Sequence, residues 1–156
     1  MVKSFVSGRR GLTLIELLLI LTLMGSMVFM LPIGQELRVR AELKMASRRL
    51  VSELRWMQVT AILNNRSYRL YLSPEGSYQI RLEDQVVRSG SFPSQLRLFI
   101  RKSNQMVELE DELVLGFTGL GNSSFARTIG FQDGEERMIK VVVSTWMGRI
   151  RIDESW

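Results

Sequence analysis

One carboxylate, Glu16, stands inside an otherwise apolar run covering residues 12–33. About 20 apolar residues at 1.5 Å rise each cover a hydrocarbon core of ~30 Å, so the run has the length of a membrane-spanning helix. A charge at the centre of such a span costs roughly 2.5–3.5 kcal/mol on insertion scales, so Glu16 requires a partner or a function. A secretory signal peptide does not fit: its apolar stretch should be about 7–15 residues and end in a small-residue cleavage site. Here Gly25-Ser26-Met27-Val28-Phe29-Met30 follows instead. A plain signal anchor accounts for the span, but gives no reason for Glu16 or for Arg9-Arg10-Gly11 ahead of it. A bland role for Glu16 is snorkelling to the interface.

The 156 residues include neither Cys nor His. That excludes disulfides, thiolate nucleophiles, Cys/His zinc sites and histidine bases; a carboxylate-only metal site or a Ser/Lys pair stays open, but no catalytic residue, metal site or cofactor is expected and the chain is read as a non-enzyme. The net charge of +5 is unevenly placed. Residues 1–11 carry Lys3, Arg9 and Arg10 with no carboxylate, and residues 34–66 hold seven Lys/Arg against three Glu. Residues 67–156 hold eleven Lys/Arg against twelve Asp/Glu, so a nucleic-acid footprint there would have to be a local patch. Arg48, Arg49, Arg66 and Arg69 are the candidates for phosphate contacts, although such pairs are more often solvated faces. Trp56, Trp146 and Trp156 are too scattered for a stacking platform. Because cations lie on both sides of the apolar run, the positive-inside rule does not fix topology.

A long helix is expected from about residue 12 to residue 64, with Pro32 and Gly34 interrupting it and Pro32 kinking rather than stopping it. Leu43, Ala46, Leu50, Leu54, Met57 and Ala61 recur every three or four residues, an apolar stripe destined for a core. Asn64-Asn65 marks the helix end. From Ser67 the period becomes two: Tyr68, Leu70 and Leu72 precede the turn Ser73-Pro74-Glu75-Gly76, and Tyr78, Ile80 and Leu82 return. Further alternation at 96–100, 113–117, 128–131, 139–143 and 150–152 gives about seven short strands. The fold class is α+β: a long N-terminal helix, transmembrane in its first half and amphipathic in its second, packed on a small antiparallel β-rich head. The organisation is a leader at 1–11, the span at 12–33, the amphipathic helix at 34–66 and the head at 67–156.

The short cationic leader, then Gly11-Leu12-Thr13-Leu14-Ile15-Glu16 and the long apolar helix, resembles the N-terminal signature of the type IV pilin family. The resemblance implies cleavage between Gly11 and Leu12 by a prepilin peptidase and N-methylation of Leu12, which stands where the family usually has Phe. It also implies that Glu16, fifth in the mature chain, pairs with the terminal amine of a neighbouring subunit. Such pairing relieves two buried charges and fixes axial register. Implied partners are the peptidase, other pilin-like subunits, an inner-membrane assembly platform, lipid before assembly and, indirectly, DNA. The implied location is the cytoplasmic membrane in a single pass, N-terminus cytoplasmic and head outside. Gly119-Leu120-Gly121-Asn122, Thr128-Ile129-Gly130-Phe131 and Gly148-Arg149-Ile150-Arg151-Ile152 resemble minor pseudopilins of the H type and their relatives in competence (DNA-uptake) pili. The expected function is therefore a competence-type pseudopilin. The alternatives are an H-type subunit of a type II secretion system, a minor type IV pilin, or a signal-anchored binding domain that joins no filament.

Overall fold

The structure, a computed structural model, describes residues 13–145 and 148–155, of which 27–37 and 155 are described by backbone alone. The expected leader and the junction Gly11–Leu12 lie outside the described residues, as do Trp146, Met147 and Trp156. The chain divides into two compact units, Met1–Arg38 and Val39–Trp156. Helix α1 covers Leu14–Asn64. The helix is not interrupted at Pro32 or Gly34, because loss of one backbone donor leaves the neighbouring turns to carry the helix through. Its end is where the Asn pair placed it. Asn65 takes φ 49°, and the Arg66 N–H closes on the Ala61 carbonyl at 3.1 Å, a left-handed cap that asparagine tolerates.

Among the described residues nine strands follow, two more than the alternation suggested: β1 (Tyr68–Leu72), β2 (Ser77–Leu82), β3 (Gln85–Ser91), β4 (Arg97–Lys102), β5 (Gln105–Glu108), β6 (Leu113–Phe117), β7 (Arg127–Gln132), β8 (Met138–Val143) and β9 (Ile150–Ser155). They form two antiparallel sheets, one ordered β3-β2-β1-β6 and the other β5-β4-β7-β8-β9. Strands β3 and β5 are edge strands with little buried surface, so neither face imposes apolar alternation on them.

The core of the head is a single cluster in which the stripe of α1 meets both sheets. Leu43, Leu50, Leu54, Met57 and Ala61 are 0% exposed, as are Leu70, Leu72 and Ile80 from the first sheet and Ile129, Phe131 and Val141 from the second. Burying each large side chain contributes about 1.5–3 kcal/mol. Aromatic rings join the two sheets: Phe92 lies 5.1 Å from Tyr78 and 5.0 Å from Phe131, the latter pair edge to face. The β7–β8 turn is held by Asp133, only 1% exposed. Its carboxylate accepts the backbone N–H groups of Glu135 and Arg137 at 3.0 Å and the Arg137 Nε–H at 2.8 Å. Burial pushes its pKa up, but the Arg137 side chain and the two backbone donors outweigh this and hold it below the ordinary carboxylate range.

Candidate functional site

Thr13 caps the N-terminal segment of α1. Its carbonyl accepts the N–H groups of Glu16 and Leu17 at 3.0 and 3.1 Å, and its hydroxyl lies 3.4 Å from the Glu16 nitrogen. The Thr-x-x-Glu spacing is that of a capping box, a local reason for a carboxylate here that the sequence reading missed. Beyond the cap the helix is apolar all round: Leu14, Ile15, Leu17–Leu21, Leu23 and Met24 are 45–81% exposed. Thr22 and Ser26 donate to the carbonyls of Leu19 and Leu23 at 2.9 and 2.8 Å, so their hydroxyls are satisfied within the helix. Glu16 has no ion-pair partner among the described residues. Among the described residues no helix is long and apolar enough to cross a membrane; Leu12 and the side chains of 27–33, needed for the expected span, lie outside them.

Inside the head, a polar clasp sets the rotation of α1 against the first sheet. Glu53, 9% exposed, accepts the Tyr78 hydroxyl at 3.2 Å, and its other oxygen lies 3.4 Å from the Arg88 Nε. Arg88 stacks over Trp56 at 4.8 Å, while Arg49 lies 5.7 Å from the Tyr78 ring centre and donates to the Ser91 carbonyl at 3.2 Å. Burial, reinforced by the Glu53 charge, raises the pKa of the Tyr78 phenol, with Arg49 opposing it. Gly90 is required at this crossing. A Cβ there would lie 2.6 Å from the Tyr78 hydroxyl oxygen and 2.8 Å from Arg49. The cluster positions structure and offers no activated nucleophile.

Two of the glycine-punctuated motifs, those of Gly121 and Gly148, converge near the C-terminal end of α1, whereas Gly130 of the third lies against Met106 and Met138. Gln58 donates through Nε2 to the Gly121 carbonyl at 2.9 Å. Gly148, at φ +54°, leaves no room for a Cβ, which would meet Gln58, the Gly121 carbonyl at 2.5 Å and the Phe117 ring at 2.8 Å. Three remote segments therefore close on each other here, and only glycine permits it.

The four arginines proposed for phosphate do not form one patch. Arg48 lines an open groove of about 500 Å³ with Val51, Ser52, Arg55 and Ile152. Arg49 turns to Ser91 and Tyr78, and Arg66 and Arg69 are exposed past the helix end. A cationic surface not anticipated lies across the second sheet. Arg101, Ser103, Arg127, Thr128, Val142 and Ser144 line a groove of about 330 Å³. Arg151 pairs in register with Val142, and Val142 with Thr128, so a further cation flanks the groove at the sheet edge. Arg127 lies 5.4 Å from the ring of Phe125, which is 57% exposed. The signal for it was arginine at the polar positions of alternating strands, hidden in a near-neutral head. Among the described residues no group of three His, Cys, Asp or Glu could hold a metal ion.

No family model matches the chain, and no curated protein does. Two solved structures resemble it. The type IV minor pilin FimU of Pseudomonas aeruginosa superposes with a TM-score of 0.58 at 18% identity, over 73% of this chain and 90% of that one. The minor pseudopilin EpsH of the type 2 secretion system of Vibrio cholerae gives 0.56 at 11% identity, over 72% of this chain and 97% of that one. At such identities the likeness establishes the fold, which is that of minor pilins and pseudopilins.

Proposed function

We propose that this chain is a minor pilin-like structural subunit, cut by a prepilin peptidase after Gly11, N-methylated at Leu12 and assembled with other pilin-like subunits into a competence-type pseudopilus for uptake of external DNA. The observation that carries the subunit reading is the pairing of a pilin-type head with a helix whose first turns are apolar on every face and hold one unpaired carboxylate. A helix apolar all round belongs in a bilayer or a bundle, and Glu16 then calls for a cation from another molecule. The amine of Leu12 on an adjacent subunit supplies one. In this reading the chain waits in the cytoplasmic membrane, N-terminus inside and head outside, and an assembly platform draws it into the filament.

The cationic face of the second sheet favours the DNA-uptake branch. Arg101 and Arg127 offer phosphate contacts beside hydroxyls, and the exposed Phe125 under Arg127 offers a stacking ring, the combination that single strands favour. The likeness to EpsH favours the alternative, an H-type subunit of a secretion pseudopilus. Two measurements decide. Intact mass after co-expression with the peptidase should show a chain beginning at Leu12, and a retained leader would leave only a membrane-tethered binding domain. The purified full chain in detergent should retard single-stranded DNA in a salt-dependent manner, and Arg101→Ala with Arg127→Ala should weaken that binding. Absence of retardation at low salt would pass the assignment to the secretion branch.

A further inference from the structure

Opposite charge flanks the two edges of the second sheet: arginines of α1 beside β9, and a carboxylate-rich loop after β5. At the β9 edge, Arg48 and Arg55 reach over the 500 Å³ groove floored by Val51 and Ile152, with Ser52 between them. The two arginines are seven residues apart on one helix, about 10.5 Å along its axis. Both are exposed, and neither has a carboxylate partner among the described residues. At the opposite edge, β5 runs into the loop Glu108-Leu109-Glu110-Asp111-Glu112. Its four carboxylates are exposed and likewise without an ion-pair partner among the described residues. The loop is nevertheless anchored: Leu109 is 5% exposed, and its N–H donates to the Leu98 carbonyl at 2.8 Å. Four strand spacings, about 19 Å, separate the two edges.

We infer that the groove lined by Arg48, Ser52 and Arg55 docks the acidic loop Glu108–Glu112 of a second copy of this chain. Two arginines without carboxylate partners among the described residues, around a concave and partly apolar floor, match a short anchored carboxylate-rich loop in charge. Because the two surfaces lie on opposite edges of one sheet, the contact is heterologous: each copy presents its loop to one neighbour and its groove to the other. Such a contact propagates head to tail unless a ring closes, whereas a two-fold contact stops at a dimer. The inference goes beyond the filament reading and does not rest on it, since only head residues take part. It also uses a surface separate from the Arg101–Arg127 groove.

The absence of cysteine makes the contact directly testable. Ser52→Cys and Glu110→Cys, placed together in the full-length chain, should yield a disulfide ladder of dimers, trimers and higher species on mild oxidation in detergent or in membranes. Each single variant should give only background dimer. Reversing Arg48 and Arg55 to Glu in the doubly substituted chain should lower the ladder about tenfold or more, and reversing Asp111 and Glu112 to Lys in that same chain should restore it. A ladder insensitive to these reversals would overturn the inference. So would Ser52→Cys alone cross-linking as well as the pair, which would mark a two-fold contact, or a pair that never cross-links although the chain melts like its parent.

Discussion

In the first turns of α1, Leu14, Ile15, Leu17 and Leu23 leave 53–81% of their surface exposed, whereas Leu43, Leu50, Leu54 and Leu70 in the head are 0% exposed. The residue chemistry is the same and the burial is opposite. The head wraps two sheets around the second half of α1 and satisfies its apolar surface internally. The N-terminal segment has apolar residues on every face, so no single packing partner within one chain could cover it. Its polar groups tell the same story, because Thr22 and Ser26 bond within the helix while Glu16 has no ion-pair partner among the described residues. One region buries its apolar surface within the chain, and the other leaves it exposed. On the function proposed above, a bilayer or other subunits would cover the second.

The sharpest way to break that comparison is Glu16→Leu. In the proposed assembly Glu16 is one member of a buried ion pair, whose removal costs about 3–5 kcal/mol, so incorporation into filaments should fall about a hundredfold or more while processing and the head's melting temperature stay unchanged. Quantifying the subunit in sheared filaments against the membrane fraction checks this. Unchanged incorporation would reduce Glu16 to its capping-box role. The mirror experiment is Phe131→Ala, at 0% exposure between the two sheets. Denaturant unfolding should show the head about 3–5 kcal/mol less stable. The cleavage proposed before Leu12 should persist.

Much of this division was legible in the sequence. All six residues of the helical stripe are 0–3% exposed, and the strands with one buried face were placed by alternation. Strands β3 and β5 escaped because an edge with both faces wet carries no period. The split into two sheets was also invisible, for β1 pairs with β6, some forty residues on, and no local pattern encodes that register. The site was read unevenly for similar reasons. Glu16 stood out because one charge in an apolar run is costly wherever it folds. Arg48 and Arg49 looked like a pair, yet neighbours on a helix point about 100° apart, and they serve opposite faces. Glu53 and Tyr78 meet across 25 positions, and nothing local announces such a clasp.

Gly148 tests how tightly the head closes on itself. Its positive φ was foreseeable from a glycine ahead of the last strand, but its contact with the Gly121 carbonyl and Gln58 was not. Gly148→Ala should destabilise the head by roughly 1–3 kcal/mol through the left-handed backbone and the backbone clash together. Gly25→Ala, in the N-terminal segment with nothing within 4 Å, should leave the head unchanged and stabilise the helix slightly. Thermal melts of both variants measure the contrast. Equal melting points would mean the junction relaxes and the closure is looser than its geometry.

Within the head, closure also depends on pH. The Asp133 carboxylate is held below its ordinary value of 3.8 by Arg137 and two backbone donors despite burial. The folded head therefore prefers the ionised form more strongly than the unfolded chain does. That preference contributes its full stability above the unfolded value and disappears as pH falls from there through the lowered folded value. Denaturant midpoints should thus decline as pH is lowered from about 5 toward 2, and Asp133→Asn should flatten part of that decline while lowering stability at neutral pH. The loss at neutral pH should be about 1–3 kcal/mol, because the turn donors and the Arg137 guanidinium lose a charged acceptor in a site 1% exposed. A variant whose pH profile matches the parent would show that the turn carboxylate leaves the acid stability of the head to other groups.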